Sequence, residues 1–216
     1  SCVFTSSHIK NGFKGRIAII ENGRNLGGRA STRCSLSNPG WQLNHGSPHF
    51  NICNTTNNLL LETFIKELLD CKIIQSDSSE LIELYEDLKH QDKINSYFYK
   101  GQNYISSTSM SDLSQKIISY YDLRDQVDYF FQTLIVKLDY ENNNWILTCN
   151  DGYKLSTKFL VCSSNLILHK RSLDILKTNQ IPLRKAIPIN YDKKIDKIIN
   201  LVNEQDYIKR LTFLIY

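Results

Sequence analysis

The sequence predicts an α/β fold: an incomplete Rossmann-like layer that carries a β-meander. Three observations predict it. Arg16 to Ile20 is a short apolar run of strand length that ends at Glu21 and turns at Asn22-Gly23, so an acid sits at the strand tip where dinucleotide-binding folds place one. Phe130 to Tyr140, Trp145 to Cys149 and Tyr153 to Ser163 are strand-like runs separated by Glu141-Asn142-Asn143-Asn144 and Asn150-Asp151-Gly152, the pattern of a meander. Between and after these lie segments with helical apolar spacing.

Taken in order, Cys2 to Lys10 reads as a short helix ending near Asn11-Gly12, ahead of the strand at Arg16. A dinucleotide-binding βαβ unit needs a first strand and a glycine-rich turn before such a helix. Neither stands before Ser1, and the expectation is a fragment that begins inside that turn, the alternative being an independent small protein. After Phe50 the polar stretch Asn51 to Asn58 leads into a helix with Leu60, Leu61, Phe64, Ile65, Leu68 and Leu69 on one face. Ser79 to Lys89 repeats the pattern with Leu81, Ile82, Tyr85 and Leu88, with Ser79 as N-cap. Tyr97-Phe98-Tyr99 and Tyr104-Ile105 flank Lys100-Gly101-Gln102-Asn103 in a hairpin-like signal whose aromatics suit a core or a cavity wall.

A helix is expected from Ser109 through Tyr121, followed by the meander. Phe159 to Ser164 reads as an apolar strand closing on small polar residues. Lys170 to Leu176 reads as a short helix, Pro182 and Pro188 bracket an extended piece, Asp192 to Val202 has helical spacing, and Leu211 to Tyr216 reads as a strand.

Composition narrows the function. With 216 residues and 41% hydrophobic content the chain can form one large or two small cores. Its 26 Lys+Arg against 22 Asp+Glu are interspersed, which gives nucleic-acid binding little electrostatic support, and the tyrosines sit mostly at core spacings. No apolar run approaches the roughly 20 residues that span a bilayer, and no signal core opens the chain, so a cytoplasmic protein without membrane contact is expected. The six cysteines, Cys2, Cys34, Cys53, Cys71, Cys149 and Cys162, form no Cys-x-x-Cys pair and are expected to be mostly reduced and buried. His45 and His49 have the spacing of a helical metal pair, but Gly46-Ser47-Pro48 opposes a helix and no third ligand is evident, so no metal is expected.

The chemistry gathers between Arg16 and Phe50. The Glu21 carboxylate can accept hydrogen bonds from two ribose hydroxyls, Gly27-Gly28 lets backbone approach a phosphate, and Arg29 and Arg33 bring guanidinium forks that suit a pyrophosphate. The plainer possibility is that the glycines only build a surface loop. Glu21, then Gly27-Gly28-Arg29-Ala30-Ser31-Thr32-Arg33, then Asn44-His45-Gly46-Ser47-Pro48-His49-Phe50 resemble the renalase-like, FAD-dependent amine oxidoreductases. Asn44, Ser47, Pro48 and His49 stand where that family has Asp, Ala, Gln and Tyr.

The resemblance implies FAD as cofactor, with Glu21, Gly27, Gly28, Arg29 and Arg33 on its nucleotide part and His45, His49, Gly46 and Phe50 toward the ring. Main-chain atoms of Ile135 would lie against adenine; a buried strand residue is an equally good description of it. Ser109-Met110-Ser111-Asp112-Leu113 resembles the family's Gly-Met-x-x-Leu helix start, with Ser109 for the glycine. The implied layout is an FAD-binding lobe from 1–57 and 107–165, and an inserted α+β substrate lobe from 58–106 and 166–216, the closing C-terminal segment being absent. The implied activity is hydride transfer to FAD from an amine or a reduced nicotinamide-like donor, with dioxygen as acceptor. No residue is thereby identified as catalytic. This stretch of chain, taken alone, is expected to be inactive. The competing function is a non-catalytic nucleotide-binding or scaffold protein on the same fold.

Overall fold

The computed structural model describes residues 2–38, 40–52, 58–78, 101–121, 124–164 and 166–204. Helices and strands are mixed along the chain. In order, the first elements are α1 (Cys2–Lys10), β1 (Ile17–Ile20), β2 (Thr32–Cys34), β3 (Gln42–Asn44), β4 (Phe50–Ile52), α2 (Leu59–Asp70), β5 (Ile74–Ser76) and β6 (Gln102–Ser106). A 3-10 turn, Met110–Asp112, then runs into α3 (Leu113–Tyr120). The remaining elements are β7 (Val127–Phe130), β8 (Ile135–Glu141), β9 (Asn144–Cys149), β10 (Lys154–Thr157), α4 (Arg171–Leu176), α5 (Pro182–Ala186) and α6 (Lys193–Asn203). They fall into two compact units, one of Gly15–Arg24 with Gln126–Ile215, the other of Cys2–Lys14 with Asn25–Asp125.

In the first unit β1 runs parallel to β7, Ile17 opposite Val127 and Ile20 opposite Phe130. The meander β8-β9-β10 is antiparallel. Its first turn puts Asn142 and Asn143 at φ 49 and 61, the left-handed pair that a two-residue type I′ hairpin requires and that asparagine tolerates. Leu138 and Leu147 face each other across β8 and β9 and are buried with Leu183 and Ile187 of the α5 region and Ile199 of α6. Two polar clamps hold the helices on this core. Arg184 pairs with Asp196, whose second oxygen accepts from the Asn190 N–H at 3.1 Å. Asn203 Oδ1 accepts from the Lys170 N–H at 2.7 Å while its amide donates to the Leu168 and Ile199 carbonyls.

The second unit centres on Ile65 and Leu68 of α2, Ile73, Ile74 and Ile117 of α3. α2 starts where Asn58 accepts from the Leu61 N–H, an N-cap that satisfies one orphan donor. Strands β4, β6 and β5 pair antiparallel, with Phe50 opposite Tyr104 and their rings stacked at 5.7 Å. α1 packs on α3 through a face of small residues, with Cys2, Thr5 and Ser6 buried. Lys10 Nζ donates to both Glu67 oxygens at 2.8 Å and lies 5.3 Å from the centre of the Tyr121 ring. The Lys10 hydrogen bond holds the Glu67 carboxyl below its ordinary range, while burial, and then Glu67, push the Tyr121 hydroxyl up.

Several expectations are corrected. The run Phe130 to Tyr140 is two strands, because Phe130 ends the ladder with β1 and Gln132, at φ 53, turns the chain before β8. The run Tyr153 to Ser163 is strand only from Lys154 to Thr157; Phe159 and Val161 beyond it are 80% and 52% exposed and pair with no strand among the described residues. Pro182 to Pro188 holds a helix instead of an extended piece: Pro182 takes the first helical position, where its fixed φ is an advantage, and Leu183 and Ile187 bury together. Strands β2, β3, β4 and β5 were not expected.

Chain grouping also differs from the expected two-lobe layout, because α3 shares a core with α2, and α5 and α6 share theirs with the meander. Of the cysteines, Cys2 and Cys149 are buried, Cys71 is half-buried, and Cys34 and Cys162 are exposed, contrary to a mostly buried set. The expected helix at Ser79 to Lys89, the aromatic run Tyr97 to Tyr99, Cys53 and the strand at Leu211 to Tyr216 lie outside the described residues. No described helix is long and apolar enough to cross a membrane.

The Arg184–Asp196 pair makes stability depend on pH. The hydrogen bond from Arg184 holds the folded Asp196 carboxyl below its ordinary value, so its contribution is complete above the unfolded pKa of about 4 and is lost as pH falls through the lowered value. Asp196→Asn is expected to lower the melting temperature at pH 7 and to lower it by less at a pH well below about 4, followed by circular dichroism. An equal deficit at both pH values would remove the pair from the account.

Candidate functional site

Glu21 follows β1 at its carboxyl end and is half-buried. Its N–H donates to the Phe130 carbonyl at 2.9 Å and its own carbonyl accepts from Thr133, so the backbone here is an extension of the parallel ladder. The Gly23 N–H donates to Glu21 Oε1 at 2.8 Å, which closes the turn predicted at Asn22-Gly23. Glu21 Oε2 has no hydrogen-bond donor among the described residues. Ile135, in the same unit, opens β8 opposite Cys149 and packs half-buried against the Leu138 core. It is a core residue, and its main chain adjoins a bulge in the β8–β9 register between Ile135 and Lys137.

The other site residues belong to the second unit and are brought together by the β2–β3 hairpin. Gly27, at φ 122, and Gly28, at φ 56, build a tight turn in which the Ala30 N–H donates to the Gly27 carbonyl at 2.9 Å. A Cβ on Gly27 would stand 2.8 Å from the Ala30 carbonyl oxygen, so both glycines have a conformational reason to be there. Beyond the hairpin pairs Thr32–Asn44 and Cys34–Gln42, the two chains stay together: His45 N–H donates to the Ser31 carbonyl at 3.1 Å and Ser47 N–H to the Arg29 carbonyl at 2.7 Å. Gly46 passes so close that a Cβ on it would lie 2.0 Å from the Arg29 carbonyl oxygen and 2.5 Å from Ser31 Oγ. The two halves of the motif, separate in sequence, are therefore one piece of structure.

Side chains on this piece divide by exposure. Arg29, Arg33 and His45 are exposed, and neither arginine forms an ion pair among the described residues. Two unpaired guanidinium groups on one hairpin can bind the oxygens of a diphosphate. Phe50 is half-buried, stacked on Tyr104 and packed against the Ile65–Ile74 core, so its ring is part of the hydrophobic interior. His49, half-buried, and His45 do not belong to any group of three or more metal-ligating side chains among the described residues.

The sequence did not show what anchors this hairpin. Thr32 Oγ1 donates to Asn44 Oδ1 at 2.6 Å, the same oxygen accepts from the Met110 N–H at 3.2 Å, and Thr32 Oγ1 accepts from the Ser111 N–H at 3.1 Å. A polar pair facing across two strands was the available signal, but three-residue strands are too short for their alternation to be read.

No protein-family model matches the chain, and no curated protein matches it.

Gly46 and Gly28 separate close approach from backbone conformation. Gly46→Ala drives a methyl group into a carbonyl oxygen and is expected to cost at least about 2 kcal/mol of stability. Gly28→Ala meets open space and carries only the left-handed backbone penalty of about 1–2 kcal/mol. Urea melts of the two variants check the order; Gly46→Ala proving the milder would mean that the two motif halves do not touch as described.

Proposed function

We propose that this chain forms part of an FAD-dependent oxidoreductase of the renalase-like amine oxidase type, with a Rossmann-like FAD-binding layer, taking hydride from an amine or a reduced nicotinamide-like donor and passing electrons to dioxygen. The observation that carries it is Glu21 at the carboxyl end of the parallel β1–β7 pair, with one carboxylate oxygen unengaged. Ligands of open α/β sheets bind outside the carboxyl ends of parallel strands, and a carboxylate there accepts ribose hydroxyls. By residue type, Glu21 of the first unit suits a ribose, and Arg29 and Arg33 of the second suit a diphosphate; the resemblance assigns the Ile135 main chain to adenine.

When bound, FAD supplies the two-electron acceptor. The chain's own residues bind and orient it: the arginines neutralise diphosphate charge, and the turn at Gly27-Gly28 brings backbone near without Cβ interference. The resemblance assigns His45 and Gly46 to the ring, and no side chain is given a proton-transfer role. The described cysteines are all free thiols, which suits the reducing cytoplasm.

A second reading, a nucleotide-binding or scaffold protein without flavin chemistry, is favoured by Phe50, whose ring is turned to the core instead of being free for a ligand. An absorbance spectrum of the protein expressed from its complete reading frame separates the two. Bands near 375 and 450 nm, roughly, that bleach anaerobically with an amine or a reduced nicotinamide are expected of the oxidoreductase. Glu21→Ala is expected to weaken FAD binding by about 1–3 kcal/mol, the range for losing hydrogen bonds to a charged group. A colourless protein that binds ADP would support the second reading, and unchanged flavin retention in Glu21→Ala would remove Glu21 from the site.

A further inference from the structure

We infer that Thr32 and Asn44 are positioning residues for the arginine loop: they latch the β2–β3 hairpin to the start of the Met110–Asp112 turn, and so hold Arg29 and Arg33 ready for a diphosphate. The inference rests on the nucleotide-binding reading above. Thr32 and Asn44 are directly opposed in register, both half-buried, and joined through Thr32 Oγ1 and Asn44 Oδ1. Each then takes one backbone donor from the far segment, Asn44 from Met110 at 3.2 Å and Thr32 from Ser111 at 3.1 Å. The first N–H groups of a helical segment have no partner within it, and here two of them are satisfied by side chains 66 and 79 residues away in the chain.

That junction sets where the arginines stand. Arg33 is the next residue along β2, held opposite Leu43 by the hairpin ladder. On the other side Arg29 is held by its carbonyl, which accepts from Ser47, and by the contact of Gly46 against it. Both guanidinium groups thus extend from backbone fixed at two points. A long side chain loses rotamer freedom when it binds an anion, and a fixed backbone keeps that loss from being compounded by ordering of the loop. Removing the Thr32 hydroxyl deprives Ser111 N–H of its acceptor and Asn44 of one donor, which loosens the hairpin at the point nearest the arginines while leaving their charge untouched.

The test compares Thr32→Val, which keeps the shape and loses the hydroxyl, with Thr32→Ser, which keeps the hydroxyl. In the protein expressed from its complete reading frame, inorganic pyrophosphate binding is measured by calorimetry well below the melting temperature. Amide hydrogen exchange at Met110 and Ser111 is followed in the same variants. Thr32→Val is expected to weaken pyrophosphate binding about tenfold, the equivalent of one lost hydrogen bond, and to speed exchange at both amides. Thr32→Ser is expected to stay within about twofold of the parent by retaining that bond. In an Arg29→Ala background the Thr32→Val effect is expected to shrink, because one of the groups it positions is gone. Equal affinity in the parent and Thr32→Val, with Arg29→Ala still weak, would overturn the latch and leave the anion site standing. A Thr32→Val effect of undiminished size in Arg29→Ala would overturn it as well, since the loss would not pass through the arginine. A parent protein that binds no pyrophosphate would overturn the nucleotide reading, and the latch with it.

Discussion

The parallel ladder between Ile17–Ile20 and Val127–Phe130 is the constraint on which the rest of the chain depends. Parallel strands cannot be joined by a tight turn, and their connection must leave one end of the sheet and return to the other. Here that connection contains the larger part of the second unit, Asn25 to Asp125. Loop-closure entropy grows only with the logarithm of length, so a crossover some tenfold longer than the usual one costs about 2 kcal/mol more. The burial of Leu138, Leu147, Leu183, Ile187 and Ile199 exceeds that easily at about 1.5–3 kcal/mol for each side chain.

The two units reach their stability by different routes. In the first, the meander buries Leu138 and Leu147 against α5 and α6, each held by a polar side chain that reaches backbone or a charge on a neighbouring segment. In the second, α2 supplies the apolar face, and short strands and α1 gather around it through ion pairs, ring stacking and capped donors. Pieces of three residues have too little area to be stable by burial alone, which is why the β2–β3 hairpin depends on Thr32 and Asn44.

What could be read from the sequence follows the same division. α2, α6 and the turns of the meander are legible because each is written locally, in apolar spacing for the two helices and an asparagine cluster for the turn, while α1 is marked by Asn11-Gly12 at its end. The strands β2 to β5 are not legible, since three residues cannot establish a period and their partners are distant or belong to a neighbouring strand. Pro182 misled because proline excludes helix interiors but suits a helix start, and only the burial of Leu183 and Ile187 decides between the two. At the candidate site the residue types were legible and their division of labour was not: Phe50 is used by the core, while Asn44, noticed only as a departure from the family pattern, anchors the hairpin.

Gly46 bears on how this surface can change over generations. With the Arg29 carbonyl 2.0 Å from where a methyl group would stand, every possible replacement at this position adds an atom where there is no room for one. Selection for folding alone would keep that glycine in a lineage that had abandoned every ligand. Arg29 and Arg33 are under no such obligation: exposed, and without ion pairs among the described residues, they are replaceable as far as the fold is concerned. In descendants of this chain, drift would erase the two arginines first if the hairpin had nothing to hold, and would leave the glycine behind as a record of packing.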